Sequence, residues 1–182
     1  MRIFKAISVS MFFALAACGQ AAAPNDADAQ TAGAATSATG EATADEKSAI
    51  LAALNLSANA QGHVQNECGD MVTPQFIVAD VGPGVGRAIA FVIGGGPSAA
   101  ACYGDGPLVV LYRSTEGGWR EIYQNRGGGI IILPTQHNGG NDFADGGPGF
   151  SFPVWEWNGT TYVNANRTVA DSALGDARFI PN

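Results

Sequence analysis

Hydrophobic positions change their rhythm three times along this chain. Residues Ala6 to Ala17 form one unbroken apolar run behind the charged start Met1-Arg2-Ile3-Phe4-Lys5. From Gly19 to Ala44 the pattern vanishes into 26 residues of mostly Ala, Thr, Ser, Gly, Asn, Gln and Asp, without one aromatic or large aliphatic side chain. Ile50, Leu51 and Leu54 then recur at i, i+1 and i+4 among alanines, which predicts one short amphipathic helix over about residues 45–55. Thr43-Ala44-Asp45-Glu46 ahead of it has the T-x-x-E spacing of a capping box, in which hydroxyl and carboxylate each satisfy the other residue's amide.

After the helix the period shortens to two, or to continuous β-branched runs, and glycine punctuates every segment. The runs are Gln75–Val81, Arg87–Ile93, Leu108–Arg113, Trp119–Gln124, Ile130–Leu133, Pro153–Trp157 and Thr161–Val163. Between them stand breaks such as Gly82-Pro83-Gly84, Gly94-Gly95-Gly96-Pro97 and Gly127-Gly128-Gly129. About seven short strands with turns this close together predict an antiparallel meander or sandwich-like sheet. The fold class is therefore α+β, mainly antiparallel β, with one N-terminal helix. Trp157-Asn158-Gly159-Thr160 is the clearest hairpin, because Asn-Gly accepts the positive φ of a type I′ turn. Trp155, Trp157 and, across that hairpin, Tyr162 should share one face and pack as core.

The apolar run at the start is too short to span a bilayer. Twelve residues at 1.5 Å rise cover about 18 Å, against a hydrocarbon core of roughly 30 Å. Its charged start and small-residue end instead describe a secretory signal over residues 1–17. The closing residues Leu15-Ala16-Ala17-Cys18 resemble the lipobox of bacterial lipoproteins. That resemblance implies cleavage before Cys18 and a lipid-carrying thiol. With Gly19 rather than aspartate after the cysteine, it further implies anchoring in the outer membrane. The domain is expected on the periplasmic face, the cell surface being the alternative. Residues 18–44 then form a tether, flexible by composition or partly helical because of its alanines, and residues 45–182 form a single globular domain.

Charge and cysteine usage narrow the partners. Arg2 and Lys5 leave with the signal, so seven basic residues face 16 acidic ones and the net charge moves from −7 to −9. Nucleic acid needs clustered positive charge and is excluded as a partner; a cationic protein is favoured. Cys68 and Cys102 are the cysteines left after Cys18, and a secreted context predicts a disulfide between them.

Chemistry concentrates in Leu133-Pro134-Thr135-Gln136-His137-Asn138-Gly139-Gly140-Asn141-Asp142-Phe143-Ala144-Asp145-Gly146-Gly147-Pro148-Gly149-Phe150, read as a loop between two strands. His137, Asn138, Asn141, Asp142 and Asp145 are its candidate ligand residues, since glycine-rich polar segments expose backbone and admit close approach. With Trp157-Asn158-Gly159-Thr160-Thr161-Tyr162, the stretch resembles the repeat turns of FG-GAP or VCBS-type propeller blades, which implies an acidic calcium loop. This sequence departs from that pattern by offering only Asp142 and Asp145, three apart, and no internal repeat.

The expectation is therefore no metal and no cofactor. His63 and His137 are the only histidines and lack zinc-ligand spacing. Ser151 lies in Gly149-Phe150-Ser151-Phe152-Pro153, which is not a G-x-S-x-G elbow. The glycine clusters have no neighbouring lysine and no following amphipathic helix to cradle phosphate. No catalytic residue is assigned. The sequence points to a non-catalytic binding or inhibitor module, such as an inhibitor of a cationic lysozyme. A structural accessory of the cell envelope is the alternative. A wall or polysaccharide hydrolase would have to use Asp142 with Asp145 or Glu156.

Overall fold

The computed structural model describes residues 40–104, 106–175 and 177–181. The lipobox, Cys18 and the tether up to residue 39 lie outside these residues. Among the described residues no helix is long and apolar enough to cross a membrane.

The capping box forms as its spacing requires. Thr43 Oγ1 accepts from the Glu46 amide at 3.2 Å and Glu46 Oε2 accepts from the Thr43 amide at 2.8 Å, opening helix α1 at Ala44–Ala53. Glu46 also receives Arg87 at 2.6 Å and 2.9 Å, so one carboxylate caps the helix and ties it to the sheet beneath. Ile50 is fully buried there, with Leu51 and Leu54 beside it.

Two sheets form the body. Strands β3 (Gln75–Ala79), β4 (Ala88–Ile93), β5 (Leu108–Thr115) and β6 (Gly118–Arg126) make a four-stranded antiparallel sheet in chain order. The second sheet runs β10 (Tyr162–Ala170), β9 (Ser151–Trp157), β8 (Gly140–Asp145), β7 (Ile130–His137) and β11 (Arg178–Ile180), again antiparallel throughout. Their facing surfaces interdigitate through Ala90, Val109, Leu111, Ile122, Ile132, Phe143 and Trp157. The four-stranded sheet is covered on its other side by α1 and by a second short helix, α2 (Ala99–Tyr103). Every residue of β4 is consequently buried, which is why its sequence, Ala-Ile-Ala-Phe-Val-Ile, shows no polar alternation.

A two-stranded ribbon, β1 (Val64–Gln65) with β2 (Met71–Val72), packs on the same side. Its connecting turn carries Cys68, which is bonded to Cys102 of α2 with 5.8 Å between the Cα atoms. Asp70 reinforces this link by accepting from the Ser98 amide at 2.8 Å, at the start of α2.

The architecture is α+β, mainly antiparallel β, as the sequence pattern predicts, but the strand list is longer than seven. Among the described residues there are eleven strands. The additions β1, β2 and β11 are two or three residues long and carry no usable periodicity. The eighth strand is a substantive correction: residues 133–150 are not one loop, because β7 continues to His137 and β8 returns at Gly140. Pro134 gives the reason β7 looked shorter. It supplies no amide, and the pairing of β7 with β8 shifts register between Ile132 and Gln136, where a bulge absorbs it. The composition of β8, Gly-Asn-Asp-Phe-Ala-Asp, reads as turn but is carried into the sheet by its neighbours.

The tight Asn-Gly hairpin also sits elsewhere than expected. Asn138 and Gly139 have φ of 49° and 76°, and His137 pairs with Gly140 across them, as a two-residue turn with both central φ positive requires. At Asn158-Gly159 only the glycine has positive φ, and Trp157 pairs with Tyr162 across a four-residue loop. The Asn158 side chain accepts from the amides of Thr160 and Thr161, both at 2.9 Å, and that Asx geometry replaces the tight turn. The aromatic cluster packs as core: Trp157 and Tyr162 have ring centroids 5.2 Å apart, and Phe143 lies 4.4 Å from Tyr162.

Candidate functional site: a buried aspartate under an exposed ionic cluster

The outer face of the five-stranded sheet is divided along its strands. Toward one end it is apolar, where Ile131, Leu133, Ala144, Phe152 and Val154 pack with Val169 of the neighbouring strand and with Leu174 and Ala177. Toward the hairpin tip at Asn138-Gly139 it is ionic. Alternation along the strands places Thr135 and His137 of β7, Asp142 of β8 and Glu156 of β9 on this same side. Arg167 joins them from β10, where the pairing with β9 shifts between Asn164 and Thr168 and Asn166 adopts φ of 54°. That bulge re-aims the arginine across β9.

Asp142 is the centre of the cluster and is wholly buried. Its Oδ1 faces His137 Nδ1 at 2.7 Å, while its Oδ2 accepts from Thr135 Oγ1 at 2.6 Å and from the Arg167 guanidinium at 2.8 Å. A carboxylate can only accept, so the proton between Asp142 and His137 belongs on Nδ1 and the imidazole presents Nε2 outward. Glu156 Oε1 lies 3.7 Å from that Nε2 and 3.1 Å from Arg167 Nε. The hydrogen bond to Asp142 holds the His137 imidazole above its ordinary value, helped by the charge of Asp142 and then of Glu156, against desolvation and the charge of Arg167. His137 and Arg167 nevertheless remain 46% and 41% exposed, so their outer atoms meet solvent.

The five loop residues expected to act together are split by the pleat. His137 and Asp142 do meet. Asn138 is consumed at the turn, donating to the Trp157 carbonyl at 2.8 Å, and Asn141 faces the other way, donating to the Leu133 carbonyl at 3.0 Å. Asp145, three residues from Asp142, points to the inter-sheet side and accepts from the Trp155 indole at 2.7 Å. Burial raises its carboxyl above the usual range, partly offset by that hydrogen bond. Asp142 and Asp145 therefore share neither a ligand nor a substrate. Thr135 and Arg167 are the members that sequence reasoning missed. Arg167 lies 25 residues from Asp142 in a polar edge strand, and no spacing rule links the two.

Chemically, the cluster offers three kinds of group. His137, Asp142 and Glu156 place one ligand atom each within 4.8 Å of one another, a set of donors that suits a divalent cation. The Arg167 guanidinium already bridges both carboxylates of that set, so positive charge is supplied from within the chain. The Asp142–Glu156 pair is similarly neutralised as an acid and base. The imidazole is oriented as in a catalytic dyad, but its Nε2 stands 3.7 Å from the Glu156 carboxylate, and among the described residues no hydroxyl or thiol is hydrogen-bonded to it. What remains outward is a fixed array of one guanidinium, one imidazole and one carboxylate.

A larger concavity than the cluster itself lies elsewhere on the surface. A groove of about 670 Å³ runs between the glycine turns at 127–129 and 146–149, with Phe150 and Phe179 at its rim. It adjoins the start of β7, whereas His137 ends that strand, and among the described residues Asp171 is its one ionisable lining residue. The cluster and the groove are thus separate features.

Compared with known proteins, the chain matches no family model, no curated protein and no solved structure.

Proposed function

We propose that the chain is a lipid-anchored protein of the outer membrane, on its periplasmic face, whose β domain is a non-catalytic binding or inhibitor module. The observation that carries the binding part is Asp142, which is wholly buried and uses both oxygens to fix side chains that are themselves exposed. Groups held in place before a partner arrives lose little conformational entropy on binding, and their mutual saturation suits recognition better than reaction. The lipobox residues support the anchor and the disulfide supports an oxidising compartment.

The net charge of −9 expected after signal removal steers a cationic protein, a lysozyme being the concrete case, while the cluster supplies directional contacts. The test uses the full chain and a panel of lysozymes in a binding titration. Saturable binding that weakens at higher salt and is lost in Arg167→Gln supports the module. No binding, together with hydrolysis of wall glycan that is lost in Glu156→Gln, would transfer the Asp142–Glu156 pair to the hydrolase reading. Separately, Cys18→Ala should free the chain from the membrane fraction; unchanged sedimentation with membranes would remove the anchor.

A further inference from the structure

The ionic cluster does more than decorate the outer sheet face, because its members come from four strands and its histidine flanks the hairpin tip. The tip is also tied to the opposite sheet. Gly84 of the β3–β4 loop donates its amide to the Gly139 carbonyl at 2.8 Å, and the Asn141 amide donates to the Val81 carbonyl at 2.8 Å. Gly84 packs so closely here that a Cβ on it would overlap the Asn138 carbonyl oxygen. The position of the tip therefore sets a contact between the two sheets.

The charged groups facing His137 are Asp142 from β8, Glu156 from β9 and Arg167 from β10. With the imidazole protonated, two cations balance two carboxylates. Nδ1–H donates to Asp142, and Nε2 stands 3.7 Å from Glu156 Oε1, an ion-pair distance. When Nε2 releases its proton to solvent, the cluster is left with one net negative charge over a buried carboxylate. Glu156 then loses the positive charge that His137 set beside it. The geometry points to a proton-operated clasp: His137 in its protonated form locks the β7–β8 tip onto β9 and, through that tip, onto the β3–β4 loop.

The sign follows from the direction in which His137 is displaced. A histidine raised in the folded state contributes stability that is fully present below its unfolded value, near 6.5. That contribution is lost as pH rises through the folded value. The clasp is thus closed in acid and loosens toward alkaline pH.

The experiment is carried out on the full chain in detergent, without any partner, so its outcome is independent of the binding reading. NMR follows the two histidine rings through a pH titration, with His137→Gln assigning the signals. Hydrogen exchange of the Gly84 and Asn141 amides, corrected for the intrinsic pH dependence of exchange, reads the clasp. The expected result is a His137 midpoint above 6.5, lowered in Glu156→Gln, with protection of both amides falling across the same midpoint and pH-independent in His137→Gln. A midpoint at or below 6.5, or protection that ignores the titration, would overturn the clasp. Far-UV circular dichroism checks that each variant is folded, and the wild-type titration decides the question even if a variant is not.

Discussion

Asp142 and His137 stand 2.7 Å apart on adjacent strands, the carboxylate wholly buried and the imidazole half exposed. The pair anchors the hairpin tip, because the carboxylate is buried and hydrogen-bonded at both oxygens. Arg167 meets the same carboxylate from two strands away, so three strands share one anion.

That sharing predicts an asymmetric response to mutation. Asp142→Asn keeps the shape but removes the charge from a site built to receive a guanidinium, an imidazole and a hydroxyl. Charge-assisted hydrogen bonds to one buried acceptor contribute about 2–3 kcal/mol, and the variant should lose roughly that much in urea denaturation. Glu156→Gln, on the rim of the same cluster, should cost less than about 1 kcal/mol. Equal losses for the two would show that burial of Asp142 is not what matters.

The disulfide gives a second expectation. Cys68 and Cys102 close a loop with a sequence separation of 34 residues, and the chain-entropy estimate for a loop of that size is about 3–4 kcal/mol. Reduction should lower the melting temperature by several degrees and release the β1–β2 ribbon from α2 first. Coincident melts with and without reductant would remove the bridge from the stability account.

Gly84 offers a packing test. Alanine at this position places its methyl carbon on the Asn138 carbonyl, a backbone atom that cannot rotate away. Overpacking of this kind costs about 1–3 kcal/mol, and here it should also speed exchange of the Asn141 amide. Gly159→Ala, whose added carbon meets nothing within 4 Å but whose φ is 96°, measures backbone strain alone for comparison. A Gly84→Ala variant no less stable than Gly159→Ala would argue against the close approach.

Glu46 sets the acid limb of the stability curve. Its hydrogen bond to Arg87 lowers it from 4.5 to about 2, with the Thr43 contacts adding to the effect and desolvation opposing it. A depressed carboxylate contributes stability that is present above its unfolded value and is lost as pH falls through the folded one. Unfolding monitored from pH 6 to pH 2 should therefore show a decline below about 4.5 that is shallower in Glu46→Gln. The difference at neutral pH should be about 1–2 kcal/mol after solvent screening. Superimposable pH profiles would show that the helix is held by packing through Ile50 rather than by its cap.

Several features follow from sequence alone because their causes are local. The capping box needs only Thr43 and Glu46 at the right spacing, and it forms as written. The run of glycine-punctuated β-branched segments commits the chain to a mainly antiparallel sheet, and of its three cysteines the two beyond Cys18 pair with each other. The tertiary structure decided what depends on neighbours. It made a strand of Gly140–Asp145 by pairing it on both sides, and it placed the tight Asn-Gly turn at Asn138 rather than Asn158 because strand register, not dipeptide identity, sets loop length. It separated Asp142 from Asp145 by pleat parity and brought Arg167 to Asp142 through a bulge. A site assembled across four strands has no signature along any one of them, since side-chain proximity there is fixed by register and twist rather than by distance in the chain.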